Sequence, residues 1–309
     1  MDANDVRIFC EMAFAGLNLD VSSSRHASFS AMGRKIGLDE KTIRLRIRRM
    51  EESGFIRYYQ ASPNLSLLGM KYQGSCRFEA MNVPTKYNAL SFIQELFGIV
   101  WAYDYLGPTI SVSIAGATQS DIALLIGQIA GRFELTRMTL GERALGGLPK
   151  GSLDKLDWQI IQKLRYDAHQ TAKGVADALS ITQRMSEYRI EKLVQNRSIN
   201  IRPLINPLRQ EGVVFYELGV SIDTPNMAGT TNILTEKHKE RIWSMYTAPN
   251  GTLVIDMFGF KLAEPEETAM ELLTIEGVKW CSIAVLKEVI EPKRPNWIDN
   301  FIQEKTISG

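Results

Sequence analysis

Cysteine and histidine are both scarce, with three of each in 309 residues. Cys10, Cys76 and Cys281 are odd in number, far apart and without a Cys-x-x-Cys. That excludes a disulfide scaffold and points to free, mostly buried thiols in a reducing cytoplasm, with Cys10 left open as a redox or metal sensor. Long apolar runs are absent too. Nothing approaches ~18 uninterrupted residues, so no transmembrane helix is expected. The opening Met1-Asp2-Ala3-Asn4-Asp5 is acidic and lacks the order of a signal peptide, and a cytoplasmic location is expected. No Walker loop, Gly-x-Ser-x-Gly or His-Glu-x-x-His occurs, so the expectation is of no enzyme, no cofactor and no metal. What remains is ordinary globular composition, 45% hydrophobic and 23% charged, at a length suited to about two domains.

Charge of one sign is also lacking as a whole, with 36 Lys+Arg against 35 Asp+Glu, but it is unevenly spread. Residues 1–65 hold 10 basic against 8 acidic, and 66–149 hold 6 against 6. Residues 150–207 hold 10 against 6, and 208–309 hold 10 against 15. Two modestly basic segments therefore alternate with a neutral and an acidic one, and basic blocks can meet a polyanion. The chain also repeats itself. Ile36, Leu38, Asp39, Arg46, Ile47, Met50 and Ile56 align without gaps on Leu179, Ile181, Thr182, Arg189, Ile190, Leu193 and Ile199. Upstream, Asp5, Ile8, Phe9 and Met12 match Asp157, Ile160, Ile161 and Leu164. Gly146-Gly147-Leu148-Pro149 between the copies breaks helix and strand and reads as a linker.

Each basic segment reads as three helices and a wing. In the second copy Leu156, Ile160, Ile161 and Leu164 follow helical spacing, a short helix covers 172–179, and Thr182 is the N-cap of a third. In the first, Asp39 caps a third helix burying Ile43, Ile47 and Met50, and Gly54 stops it. Ile56 and Ile199 begin wing strands ended by Pro63 and Pro203. A short helix, tight turn and longer helix is helix-turn-helix organisation. The first third helix carries Lys41, Arg44, Arg46, Arg48 and Arg49. Lys41, Arg44 and Arg48 fall on one outward face, where guanidinium groups suit a major groove. The competing reading is a solvated face paired with Glu40, Glu51 and Glu52. In the second copy Arg44 and Arg48 are replaced by Glu187 and Glu191, and Arg197 stands where Gly54 stood. The first copy is thus the expected DNA reader.

The other two segments read as small αβ domains. Strands at 70–79, 99–105, 109–115 and 135–143 alternate with helices at 85–96 and 120–131. The order recurs at 213–222, 242–247, 252–259 and 279–285, with helices at 228–239 and 264–273. This βαββαβ order is ferredoxin-like, and it leaves one sheet face free of helices and open to pairing. Pro249-Asn250-Gly251 is a hairpin turn, and 297–305 a terminal helix. The predicted fold is α+β: two tandem copies of a winged helix-turn-helix followed by a ferredoxin-like βαββαβ domain. The domains are 1–65, 66–147, 148–208 and 209–309, the last with a C-terminal tail.

The second copy carries Leu153-Asp154-x-x-Asp157-x-x-Ile160-Ile161-x-x-Leu164, then Val175-Ala176 and Arg189-Ile190-x-x-Leu193. The first carries Arg46-Ile47-x-x-Met50-Glu51-x-x-Gly54-Phe55-Ile56. In order and content this resembles the Lrp/AsnC (feast/famine) regulators. The resemblance implies a transcription regulator that binds double-stranded DNA, pairs through its αβ domains and takes a small effector of amino-acid class at their interface. It implies DNA contacts at Lys41, Thr42, Arg44 and Arg48, and also at Gln183, Arg184 and Tyr188; the wing residues Arg57 and Tyr58 are in addition expected to contact phosphate or the minor groove. The effector residues are unplaced. Two units in one chain suggest an intrachain pseudo-dimer, a homodimer, or both.

Two rivals stand beside this. Siroheme decarboxylases resemble the same two-part architecture and need cationic and histidine groups to hold and protonate a polycarboxylate tetrapyrrole. Here His26, His169 and His238 are scattered, each reading as a surface histidine. The other rival is an architectural DNA-binding protein without effector control. Trp101 and Trp243 occupy corresponding positions and read as sheet packing.

Overall fold

A computed structural model describes residues 1–14, 29–145, 149–223, 226–248 and 251–308. His26, the linker residues Gly146, Gly147 and Leu148, and Pro249 and Asn250 of the expected hairpin lie outside the described residues. The first half of the chain runs α1 (Ala3–Phe14), α2 (Phe29–Ile36), α3 (Glu40–Glu52), β1 (Ile56–Pro63), β2 (Tyr72–Glu79), α4 (Val83–Ile93), β3 (Ile99–Tyr105), β4 (Thr109–Gly116), α5 (Gln119–Phe133) and β5 (Thr136–Ala144). The second runs α6 (Lys155–Leu164), α7 (Ala172–Leu179), α8 (Gln183–Gln195), β6 (Ile199–Ile205), β7 (Val214–Ile222), α9 (Met227–His238), β8 (Ile242–Thr247), β9 (Thr252–Gly259), α10 (Glu264–Leu272), β10 (Val278–Ile290) and α11 (Trp297–Ser308). The fold is mixed α+β around one eight-stranded antiparallel sheet.

Two compact units result, each built from separated stretches of chain. One contains Met1–Asp2, Lys71–Ala144 and Gln210–Lys293, the other Ala3–Met70, Leu145–Arg209 and Arg294–Gly309. The C-terminal stretch, which the sequence reading attaches to the second αβ domain, belongs to the helical unit.

In the helical unit the local signals act as expected. The Asp39 carboxylate accepts from the Thr42 amide at 2.9 Å, and Asp154 with Asp157 forms a reciprocal cap on α6. Ile43, Ile47 and Met50 are buried along α3, as are Ile190 and Leu193 along α8. Gly54 takes φ 76° just after α3, the left-handed conformation that suits glycine. The recurring acid and arginine have a structural use. Arg46 of α3 bonds Asp5 of α1 at 2.8 Å, and Arg189 of α8 bonds Asp157 of α6 at 2.9 Å. The wing strands pair with each other, β1 antiparallel to β6, from Ile56 opposite Ile205 to Pro63 opposite Ile199. Pro203 therefore lies inside β6, opposite Tyr59, and does not end it. In a two-stranded ribbon both strands are edges, and an edge tolerates a missing N–H.

In the sheet unit the strand order is β5-β2-β4-β3-β10-β7-β9-β8. Each half has the ferredoxin-like arrangement, and the halves join where β3 meets β10. Cys76, Phe78, Ile110, Val112 and Ile114 pack with Ile122, Ile126 and Ile129 of α5. Leu218, Val220, Leu253, Ile255 and Met257 pack with Leu234 of α9 and Leu272 of α10. β10 is longer than its sequence suggests. Its first part pairs with β7, and past Val285 it crosses to pair with β3, Val289 opposite Tyr103.

Candidate functional site

Side chains alternate faces along a strand. With Cys76 and Phe78 under the helices, Ser75 and Arg77 of β2 take the other face. By the same rule Tyr103 and Tyr105 (β3), Glu217 and Gly219 (β7), Asp256 (β9), Ser244 and Tyr246 (β8) and Ser282 (β10) share it. Three strands separate β2 from β7, which in a flat sheet is about 19 Å. Yet Arg77 forms an ion pair with Glu217, and its Nη1 donates to Ser282 Oγ at 3.3 Å. The sheet is folded over, so the two helix-free faces meet, as the uncovered ferredoxin-like face predicts.

The chemistry of that meeting is polar. Arg77 is 4% exposed, and its Nε makes no hydrogen bond. The Tyr105 hydroxyl donates to Glu217 Oε2 at 2.9 Å. Burial pushes the Asp256 carboxyl up to about 6, opposed by a Ser244 hydrogen bond and the Arg77 charge. Burial likewise raises the Tyr105 phenol, and that of Tyr246, which bonds Ser75. Tyr246 is 42% exposed and Trp280 43%, so the face is reachable at its rim. A dry guanidinium can hold a carboxylate, and a carboxyl titrating near 6 can give or take a proton near neutrality.

The residues expected to touch DNA lie in the other unit. Lys41, Arg44 and Arg48 are exposed on α3. Arg44 bonds Glu40 at 2.7 Å and lies over the Phe29 ring at 4.4 Å, and the Thr42 hydroxyl donates to Asp39 at 2.6 Å. Arg57 is exposed on β1, but its neighbour Tyr58 is engaged by Arg294, whose guanidinium lies 4.7 Å from the Tyr58 ring and 3.6 Å from that of Tyr166. On α8, Arg184 and Tyr188 are exposed, and Gln183 donates to Glu187 at 2.8 Å. Burial pushes the Cys10 thiol up to about 12, which keeps the reactive thiolate scarce. Trp101 is buried, in keeping with sheet packing.

No protein family matches the chain by its profile, and no curated protein matches it by sequence. Among solved structures, the siroheme decarboxylase NirDL matches 99% of this chain and 99% of its own, with TM-score 0.53 at 11% identity. NirDL in co-complex with an iron-uroporphyrin III analogue gives TM-score 0.52 at 12% identity, again over 99% of both chains. The chain shares its fold, end to end, with NirDL. AsnC from E. coli matches 50% of this chain and 97% of its own, with TM-score 0.29 at 16% identity. An AsnC-family regulator from Agrobacterium tumefaciens gives TM-score 0.29 at 14% identity over 50% of this chain.

The likeness to NirDL corrects one expectation. The sequence reading holds that the chain is not an enzyme, on the ground that no catalytic motif is present. The protein that matches it from end to end is an enzyme. Motif searches look for residues close in sequence, whereas Arg77, Glu217 and Asp256 are brought together only by folding the sheet. A weak signal was available: charged residues at inward-facing strand positions, which a β-strand rarely buries without a reason.

Proposed function

We propose that this protein is a decarboxylase-type enzyme acting on a polycarboxylate tetrapyrrole, on the architecture it shares with NirDL. The observation that carries the reading is a buried Arg77 facing two carboxylates and a phenol, in a fold matched over its whole length by a siroheme decarboxylase. Decarboxylation breaks the bond to the carboxyl carbon, CO2 departs, and the electron pair left on the substrate carbon takes a proton. Arg77 supplies the cation that holds a substrate carboxylate. Asp256, with its carboxyl near 6, supplies the proton. Trp280 and Tyr246 at the rim offer flat apolar surface to a macrocycle. Neither His169, in the helical unit, nor His238, at the end of α9, is part of this face.

The test is incubation of the full chain with siroheme, following by mass spectrometry the appearance of a product lighter than siroheme by one or more CO2. Product is expected with the wild type, and Arg77→Gln and Asp256→Asn are each expected to cut its rate by about 10²-fold or more. No product over an overnight incubation of folded protein overturns the reading.

A second reading rests on α3, whose Lys41, Arg44 and Arg48 are exposed on one helix. In it the two helical segments are tandem winged helix-turn-helix domains. The first contacts double-stranded DNA through these residues and Thr42, with Arg57 at the wing, and Gln183, Arg184 and Tyr188 contribute from the second. A tetrapyrrole or amino-acid effector on the sheet face, or pairing of two chains, would then regulate it. Fluorescence anisotropy with the gene's own upstream DNA checks this. A triple Lys41/Arg44/Arg48→Ala variant is expected to lose tight binding and show a shallower salt slope. Equal weak binding by both proteins rejects it.

A further inference from the structure

We propose that Glu217 is an internal occupant of an anion site centred on Arg77, and that a carboxylate-bearing ligand binds by displacing it. The proposal deepens the tetrapyrrole reading above and rests on it for the class of ligand. Arg77 belongs to one half of the sheet and Glu217 to the other. The guanidinium carries five N–H donors, yet its Nε is without a hydrogen bond although the side chain is 4% exposed. A buried ion pair kept only for stability normally has its remaining protons satisfied, because each unsatisfied one costs energy. Glu217 is the outer member, 12% exposed, and the Tyr105 hydroxyl donates to it at 2.9 Å. An incoming carboxylate therefore meets Glu217 first and can replace it on Arg77 one for one. Charge pairing is conserved in the exchange, and apolar contact at Trp280 and Tyr246 supplies the net gain.

The surroundings fix the pH dependence. The titratable and charged groups facing Arg77 are Tyr103 and Tyr105 of β3, Glu217 of β7, Tyr246 of β8 and Asp256 of β9. With the ligand carboxylate on Arg77, the displaced Glu217 is left beside Asp256 without its cation, and the cluster is over-acidic. Binding then draws in a proton, and affinity rises as pH falls toward 6.

The experiment is quenching of tryptophan fluorescence by two probes, uroporphyrin (an octacarboxylate tetrapyrrole) and tricarballylate (a small tricarboxylate), on full-length protein at pH 6 and 8. Uroporphyrin is expected to bind Glu217→Gln at least about tenfold more tightly than wild type at pH 8, and Arg77→Gln about tenfold less tightly. The double variant is expected to behave like Arg77→Gln. Tyr105→Phe, which keeps the ion pair and removes only the hydroxyl, is expected to bind severalfold more tightly. It carries the test if Glu217→Gln does not fold. Uroporphyrin affinity unchanged by these substitutions overturns the displacement idea while leaving the tetrapyrrole reading intact. Tricarballylate binding by Glu217→Gln with no uroporphyrin binding anywhere supports displacement and overturns the tetrapyrrole reading. Binding of neither probe to any folded variant overturns both.

Discussion

Arg197 follows α8 at φ 57°, in the place where Gly54 follows α3 at φ 76°. The left-handed region costs a residue with a Cβ about 1 kcal/mol or more and costs glycine nothing. Arg197→Gly is therefore expected to stabilise the protein by about 0.5–1 kcal/mol, read as a rise in the thermal midpoint. An unchanged or lower midpoint would mean that the arginine side chain contributes more than the backbone costs. This position was legible beforehand, because the repeat alignment set Arg197 opposite a stop glycine. The caps Asp39, Asp154 and Thr182 were legible for the same reason: capping acts over three residues and needs no distant partner. Tyr58 was not. Its companions Tyr166 and Arg294 are 108 and 236 residues away, and no local rule names them.

Elements were predicted well where their partners are near in sequence. The strands Ile99–Tyr105, Ile242–Thr247 and Thr252–Gly259 have the bounds their alternation implies. The sequence pattern ends β10 at Val285, because its extension is specified by β3 of the other half and not by its own alternation. At that junction Lys86 of α4, 2% exposed, bonds Asp104 of β3 at 2.7 Å, and Lys287 of β10 bonds the same carboxylate at 3.0 Å. Hydrogen bonds to the Tyr87 and Asp104 side chains hold the Lys287 ammonium up to about 12. Asp104→Ala would leave Lys86 buried without its ion-pair partner, held only by the Tyr105 and Gly107 carbonyl oxygens. We expect a loss of about 3–5 kcal/mol by urea denaturation. A Lys86→Met/Asp104→Leu double variant is expected to recover most of it. A loss below about 1 kcal/mol in the single variant would show that water reaches the site.

At the scale of the whole molecule, the meeting of the two helix-free faces makes stability depend on pH. Asp256 has its carboxyl raised in the folded state to about 6, against an ordinary 3.8. Below the lower value the group is protonated whether folded or not, and its environment costs nothing. As pH rises from 3.8 to about 6 the unfolded chain gives up this proton while the folded protein still holds it, so stability falls across that window and levels off above it. Asp256→Asn is expected to match wild type near pH 4 and to exceed it by on the order of 2 kcal/mol near pH 8. A difference that is equal at both pH values, or largest in acid, would contradict the burial of that carboxyl.

The sequence by itself determined the elements, the caps, the recurrence of helices and strands, and the ferredoxin-like order of each half. These depend on hydrophobic period and on contacts a few residues apart. The tertiary structure alone decided that β1 pairs with β6, that β10 crosses to β3, and that Arg77 meets Glu217 and Asp256. Those partners lie between 136 (Pro63 and Ile199) and 188 (Ala102 and Ile290) residues apart. Only the chain's global path, fixed by burying two helix-covered cores and folding one sheet over, brings them within reach.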